Sequence, residues 1–238
     1  DKEEMKKISL EPGIKDKKII IQGFGNVGYH SALFLKEAGA KIIGICEYNG
    51  SIYNPDGLNP EKVKKHLQNG KSILEYPNCT VFDDPYHVFY LDCDILLPAA
   101  LEEQINKENM KKINAKIIAE GANGPLTYEA DQYLSKNSVL ILPDLFLNSG
   151  GVIVSYFEWL KNLNHVRFGR ILNKKRNTKD VDEIDLVDRA LDDTMSIAFN
   201  SMRNKRKDLR YRISFREAAY KVAIEKIAII YNEMGIFP

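Results

Sequence analysis

Gln22-Gly23-Phe24-Gly25-Asn26-Val27-Gly28 sets three glycines at G-x-G-x-x-G spacing, just after the apolar run Ile19-Ile20-Ile21. This is the pattern of a chain that must bring bare backbone against a phosphate. Gly23 permits a tight turn, Gly25 lets backbone approach a pyrophosphate, and Gly28 lets a helix pack close on the strand. A helix starting near Asn26 then directs its free N–H groups at the phosphates. Glu47 stands nineteen positions after Gly28. That is close to the ~20 expected of a carboxylate that binds adenosine ribose hydroxyls. Glycine-rich turns are common, so the motif leaves one alternative open: the same fold with an empty or altered site.

These residues need a scaffold. Ile19 to Ile21, Lys41 to Cys46, Cys93 to Leu97, Lys116 to Ala119 and Val139 to Leu142 read as buried strands. Residues 29–38 carry apolar side chains at helical spacing and stop at Gly39. Strands alternating with helices predict an α/β Rossmann fold, a doubly wound, mostly parallel sheet. Ligands of such sheets lie beyond the carboxyl ends of the strands. The loops Pro98-Ala99-Ala100, Glu120 to Gly124 and Pro143-Asp144 should therefore converge on one crevice. Residues 48–78 hold the turn signals Asn49-Gly50, Asn54-Pro55-Asp56-Gly57 and Asn59-Pro60. They read as an elaboration with one short helix near 60–69. Residues 1–18 read as a charged surface helix or tail.

From Gly151 the pattern turns helical, at 151–163, roughly 184–204 and roughly 213–233, with 164–182 polar and irregular. The expected division is a dinucleotide-binding domain over 1–150 and a helical C-terminal segment over 151–238. That segment cannot bury both faces alone and must pack on the domain or on another polypeptide.

Composition excludes several classes. A hydrophobic fraction of 44% beside 28% charged residues is that of a globular domain. A net charge of +1 gives no general pull toward nucleic acid or acidic membranes. No apolar run approaches the ~18–20 residues that span a bilayer. The odd set Cys46, Cys79 and Cys93 reads as reduced structural thiols inside a cell. His30, His66, His87 and His165 lack metal-ligand spacing, so no metal is expected. Asp1 to Met5 has neither a secretory signal pattern nor the acid-poor character of a transit peptide, and reads as a cut inside a longer protein.

Five segments together resemble the cofactor domain of hexameric glutamate dehydrogenase, of the Glu/Leu/Phe/Val dehydrogenase family. They are Q-G-F-G-N-V-G at 22–28, P-A-A at 98–100, A-E-G-A-N-G-P at 119–125, P-D-L-F-L-N-S-G-G-V at 143–152 and V-S-Y-F-E-W-L-K-N-L-N-H at 154–165. The likeness runs from about Gly13 to Arg170 and resumes over Phe215 to Tyr220 and Tyr231 to Glu233. It implies oxidative deamination of L-glutamate to 2-oxoglutarate and ammonia, with NAD as cofactor and NADP possible, in a homo-hexamer. A hydride would leave Cα for nicotinamide C4, and water would hydrolyse the iminium. By the same resemblance, Phe24, Gly25, Asn26 and Val27 cradle the pyrophosphate and Glu47 holds the ribose. Ala99 and Ala100 pack on the adenosine side, Asn123 meets the nicotinamide ribose or carboxamide, and Asn148 lies between nicotinamide and substrate. Val152 and Ser155 line the substrate pocket, Ser155 donating to the side-chain carboxylate. Leucine, valine and phenylalanine dehydrogenases share the fold and lack the S-Y-F-E-W-x-x-N-L wording.

The sequence departs from the family twice. No segment matches the glycine-rich motif with the catalytic lysine, nor the proton-shuttling aspartate, both of which belong to the family's amino-terminal domain. The chain alone is thus expected to bind cofactor and not turn over substrate, and a truncated paralogue that binds nucleotide or joins dehydrogenase hexamers is the alternative. Only Ile171 to Asp185 stands where the animal-type enzyme inserts its antenna, so antenna-dependent regulation is not expected. N-L-N-H-V-x-F-G-R wording near 162–170 favours a mitochondrial matrix location, with the cytoplasm as alternative.

Plainer roles compete for some of these residues. A mid-helix serine such as Ser155 often bonds back to a carbonyl. Asn123 and Asn148 suit turns. Phe157 and Trp159 read as core. Arg203 to Arg212 reads as a solvated helix end rather than a nucleic-acid contact, since Lys and Arg favour helix C-termini. Glu47 should repel a 2′-phosphate and favour NAD.

Overall fold

Ile19, Ile20 and Ile21 are wholly buried, and so are Ile43 and Ile45. Unbroken burial along a strand is what a parallel sheet covered on both faces requires. The computed structural model describes residues 2–163 and 183–235. The chain forms two compact units, Asp1–Asp144 and Leu145–Pro238.

Among the described residues the first unit holds seven strands: β1 (Lys18–Gln22), β2 (Lys41–Glu47), β3 (Gly50–Tyr53), β4 (Thr80–Phe82), β5 (Ile95–Pro98), β6 (Ile117–Ala119) and β7 (Leu140–Leu142). They lie in the order β4-β3-β2-β1-β5-β6-β7. From β2 through β1, β5 and β6 to β7 every pairing is parallel; β3 runs antiparallel to β2, and β4 antiparallel to β3 at the edge. The chain order reverses between β1 and β5, the crevice where doubly wound sheets bind ligands. Gln22, the last residue of β1, pairs with Cys46 on one side and Pro98 on the other.

Helices α1 (Lys2–Lys7), α2 (Asn26–Glu37), α3 (Pro60–Gln68) and α4 (Tyr128–Lys136) belong to the same unit as the sheet, and α5 (Asp144–Leu147) begins where that unit ends. Local chemistry starts two of them. The Asn59 side chain accepts from the Lys62 N–H ahead of Pro60, and Thr127 accepts from Ala130.

The 48–78 stretch is not a mere elaboration. Gly50–Tyr53 joins the sheet as β3, and Thr80–Phe82 follows as β4. Asn49-Gly50 is a hairpin signal, and the two-residue link Tyr48-Asn49 folds β3 back on β2. The two added strands are too short to show an alternating pattern.

The second unit contains α6 (Gly150–Leu163), α7 (Glu183–Asp208) and α8 (Phe215–Met234). A capping box between Ser214 and Glu217 starts α8. Phe215 stacks on Phe199 at 5.5 Å, and the Arg206 guanidinium sits 4.2 Å over the Phe215 ring. Lys205 pairs with Glu225 at 2.7 Å. Two charges of the basic run are thus spent on one neighbouring helix, α8. Phe157 is only half-buried and Trp159 is 54% exposed, against the expectation that both belong to a core. The reason is the face they occupy: Val152, Tyr156, Trp159 and Leu163 recur at helical spacing and are all exposed on α6. Segment 164–182, expected to be polar and irregular, lies outside the described residues, as does most of Ile171 to Asp185.

Cys46 and Cys93 are buried and Cys79 half-buried, all three free. Burial pushes the Cys46 and Cys93 thiols up, Cys93 to about 12. A raised folded-state value means that the fold holds these protons more tightly than the unfolded chain does. That stability is fully present below the ordinary thiol range and is lost progressively as pH rises from there to the raised folded-state value. Urea stability should fall as pH rises from about 9 toward about 12, by at most about 1.4 kcal/mol per pH unit for each thiol. A flat profile over that range would place both thiols in water.

Candidate functional site

Each glycine of the turn has a distinct steric setting. Gly23 has φ +82°, and a Cβ there would lie 2.9 Å from Ala99 O and from Ala100 Cβ. The turn can thus press against the end of β5 only because position 23 is bare. A Cβ on Gly28 would lie 1.8 Å from Gly23 O, so α2 starts in backbone contact with the turn. A Cβ on Gly25 would meet nothing within 4 Å. Gly25 caps α2 with φ −70°, no side chain caps the helix start, and its first turn holds no acidic residue. Asn26 and Val27 are exposed beside it. The helix start thus presents open space and an uncapped positive dipole end to the solvent side.

Phe24 is held differently from its neighbours. Its ring is buried, and its N–H donates to Glu47 Oε1. The carboxylate at the tip of β2 therefore fixes the turn through one oxygen. Lys64 of α3 reaches the same place: its Nζ donates to Phe24 O at 3.4 Å and lies 5.3 Å over the Tyr29 ring. Gly23 N–H donates to Cys46 O at 2.7 Å, and Ala99 N–H to Gln22 O at 2.8 Å.

Gly23, Glu47 and Ala100 share a cleft of about 400 Å³ with Gln22, Tyr86 and Gln104. Gln104 Oε1 accepts from Gln22 Nε2 at 2.8 Å and from Tyr86 OH at 2.7 Å. Gln22 Oε1 is buried without a hydrogen-bond partner, which costs free energy while it stays unpaired. Sequence reading missed Gln22, Tyr86, Gln104 and Lys64. Gln22 carried a signal, standing directly before the first glycine; the other three come from elements whose packing no local pattern announces.

The loop after β6 is pinned at both ends. Glu120 is wholly buried, and its Oε2 accepts from the Asp144 N–H at 2.7 Å. Asp144 Oδ2 accepts in turn from the Gly124 N–H at 2.8 Å. Gly121 and Ala122 both donate to Pro98 O. Asn123 is exposed on this loop, beside the end of β5.

Gly23, Phe24, Gly25, Asn26, Val27, Gly28, Glu47, Ala99, Ala100 and Asn123 thus all lie in the first unit. Asn148, Val152 and Ser155 belong to the second. Asn148 is half-buried just before α6, while Val152 and Ser155 are exposed on that helix, three positions apart. Ser155 Oγ donates to Gly151 O at 2.9 Å, the back-bond of a helical serine. Among the described residues no group of three or more His, Cys, Asp or Glu is placed to hold a metal ion. No described helix is long and apolar enough to cross a membrane.

The sequence profile of the Glutamate/Leucine/Phenylalanine/Valine dehydrogenase family matches residues 2–235. A mitochondrial glutamate dehydrogenase of Dictyostelium discoideum is 45% identical over 260 residues, covering 98% of this chain and 51% of the relative. The NADP-specific glutamate dehydrogenase of Saccharolobus shibatae is 36% identical over 224 residues, covering 94% and 49%. The crystal structure of hetero-hexameric glutamate dehydrogenase from Thermus thermophilus, in its Leu-bound form, superposes with a TM-score of 0.81 at 23% identity, covering 98% of this chain and 51% of that one. The chain spans about half the length of the relatives it matches.

Proposed function

The chain belongs to the Glutamate/Leucine/Phenylalanine/Valine dehydrogenase family, and on that premise we propose that it is the NAD(P)-binding half of a glutamate dehydrogenase. The observation that carries this reading is the bare, open position of Gly25 at the uncapped start of α2. A pyrophosphate needs backbone N–H groups it can touch without side chains in the way. The cleft beside the turn, lined by Gly23, Glu47 and Ala100, fits the adenosine end.

Each residue of the chain then has a task. The first-turn N–H groups of α2 bind the phosphates, and Lys64 adds positive charge beside them. Glu47 spends Oε1 on the turn, and Oε2 accepts from a ribose hydroxyl. Ala99 and Ala100 keep the β5 end small enough for the turn and the sugar. Asn123, held by the Glu120–Asp144 links, orients the nicotinamide side. Asn148 lies between nicotinamide and substrate. Val152 shapes the pocket for L-glutamate or 2-oxoglutarate, and Ser155 rotates from Gly151 O to donate to the substrate's side-chain carboxylate. A bound nicotinamide supplies the acceptor for the electron pair that leaves the amino acid. We assign no proton transfer to this chain, which alone binds dinucleotide and does not turn over. In the full-length protein it works as a hexamer, with the mitochondrial matrix as its location.

The negative charge of Glu47 disfavours a 2′-phosphate, so NADH should bind more tightly than NADPH. Calorimetry on the chain tests this. Glu47→Gln should weaken NADH about tenfold, the value of one charge-assisted hydrogen bond, and narrow the gap to NADPH. Failure of the wild-type chain to bind either dinucleotide would sink the reading. Recovery of deamination on mixing with an intact amino-terminal domain of a relative would extend it to the enzyme.

A further inference from the structure

Lys62, Lys65, His66 and Asn69 follow one another at the spacing that gathers side chains on one face of a helix, here α3 and its C-cap. The one acid of α3, Glu61, is spent on Lys36 at 3.2 Å. Among the described residues neither Lys62 nor Lys65 pairs with a carboxylate. This face walls a cavity of about 410 Å³, closed on its other sides by the turn through Asn54 and Asn59 and by residues 76–78. Those walls are fixed. Leu58 N–H donates to Ile42 O at 2.7 Å. Asn54 Nδ2 donates to Asn78 O at 3.3 Å, which ties one wall to the other. His66 Nε2 lies 2.8 Å from Ser72 O, and the Tyr76 ring meets the imidazole edge-on at 5.3 Å.

The lining is rich in donors and holds no carboxylate. Asn59 spends its Oδ1 on the Lys62 N–H, which leaves its Nδ2 to donate. An apolar guest would leave these donors unanswered. A neutral sugar would leave two neighbouring ammonium groups repelling each other. A phosphate group, with close to two negative charges and three acceptor oxygens, answers both. Leu58, Tyr76 and Pro77 add an apolar side that suits the organic part of such a molecule. We propose that this cavity binds a small molecule carrying a phosphate monoester, with Lys62 and Lys65 on the phosphate and Tyr76 against the remainder. The cavity is separate from the dinucleotide crevice. Leu58 is tied near the start of β2 and Glu47 stands at its end, about 17 Å along the strand. Occupant and dinucleotide therefore bind together, and the site stands whether or not the dinucleotide reading does.

Inorganic phosphate and phenyl phosphate are the probes, followed by NMR of the chain with and without saturating NADH. NADH covers the uncapped start of α2, the other place an anion would seek. The amide signals of Lys62, His66 and Tyr76 should shift and saturate in both conditions, phenyl phosphate binding more tightly than phosphate. The double variant Lys62→Gln/Lys65→Gln should weaken both probes about tenfold, the worth of one charge-assisted hydrogen bond after solvent screening. Lys71→Gln removes a charge close by in sequence but outside the lining, and should leave both affinities unchanged. Lys62, Lys65 and Lys71 are exposed, so circular dichroism melts of the variants should match wild type. Shifts that grow without saturating, that vanish when NADH is present, or that weaken as much in Lys71→Gln as in the double variant would overturn the assignment. Absence of NADH binding beside saturable phosphate shifts would sink the dinucleotide reading and leave this site in place.

Discussion

Gly25→Ala is expected to fold normally and to bind NADH about a hundredfold more weakly. The folded chain has room for the methyl group, since a Cβ there meets nothing within 4 Å. Its φ of −70° suits an L-residue. Alanine also restricts the unfolded chain, a gain of about 0.4–1 kcal/mol, while it caps a helix less well than glycine. The two effects oppose, and net stability should move by about 1 kcal/mol or less. Binding is another matter. The vacant volume above Gly25 is where the pyrophosphate must approach the backbone, and a methyl group there holds it off several N–H groups at once. Loss of about 3 kcal/mol corresponds to roughly a hundredfold in affinity. Calorimetry and urea unfolding on one preparation measure both. Unchanged affinity would move the phosphates to another part of the molecule.

Gly28→Ala should do the reverse damage. Its methyl group would have to occupy a point 1.8 Å from Gly23 O, with Gly23 C at 2.9 Å and Ile21 Cγ2 at 3.3 Å. The first two are backbone and cannot swing aside like a side chain. Either α2 shifts off β1 or the Gly23 turn opens. Both moves disturb the Gly23–Cys46 hydrogen bond and the seat of the buried Phe24 ring. Overpacking costs about 1–3 kcal/mol even where side chains yield, so about 3 kcal/mol or more is expected here. The urea midpoint should drop accordingly. A shift under about 1 kcal/mol would show that helix and turn separate freely. The pair of substitutions, three residues apart, divides the motif into a position reserved for ligand and a position reserved for packing.

The turn was legible because its constraints are local. Three glycines, a preceding isoleucine run and a carboxylate at the next strand tip can be recognised one segment at a time. The five parallel strands were legible for the same reason: burial on both faces leaves apolar runs such as Ile42-Ile43 that need no partner to be noticed. The hairpin strand β3 was not, because Gly50–Tyr53 is four residues long and its glycine and serine carry no periodicity. Its burial comes from neighbours distant in sequence: Ser51 Oγ donates to Asp84 O. The Gln22–Gln104–Tyr86 cluster was hidden likewise, since its members are brought together by the ends of β1 and β5 and a loop. The place of Glu47 at the end of β2 is legible in the sequence, but its bond to Phe24 is not. Trp159 was misjudged because an apolar helix face looks the same whether this chain covers it or not.

The sheet ends on both sides in strands of three residues, Thr80–Phe82 and Leu140–Leu142. An outer strand this brief offers a stray polypeptide too few main-chain partners to extend the ladder. Growth by strand addition, the usual route to fibrils, is therefore discouraged at either margin. Assembly of this molecule is left to its side chains, which can discriminate between neighbours as a bare backbone cannot.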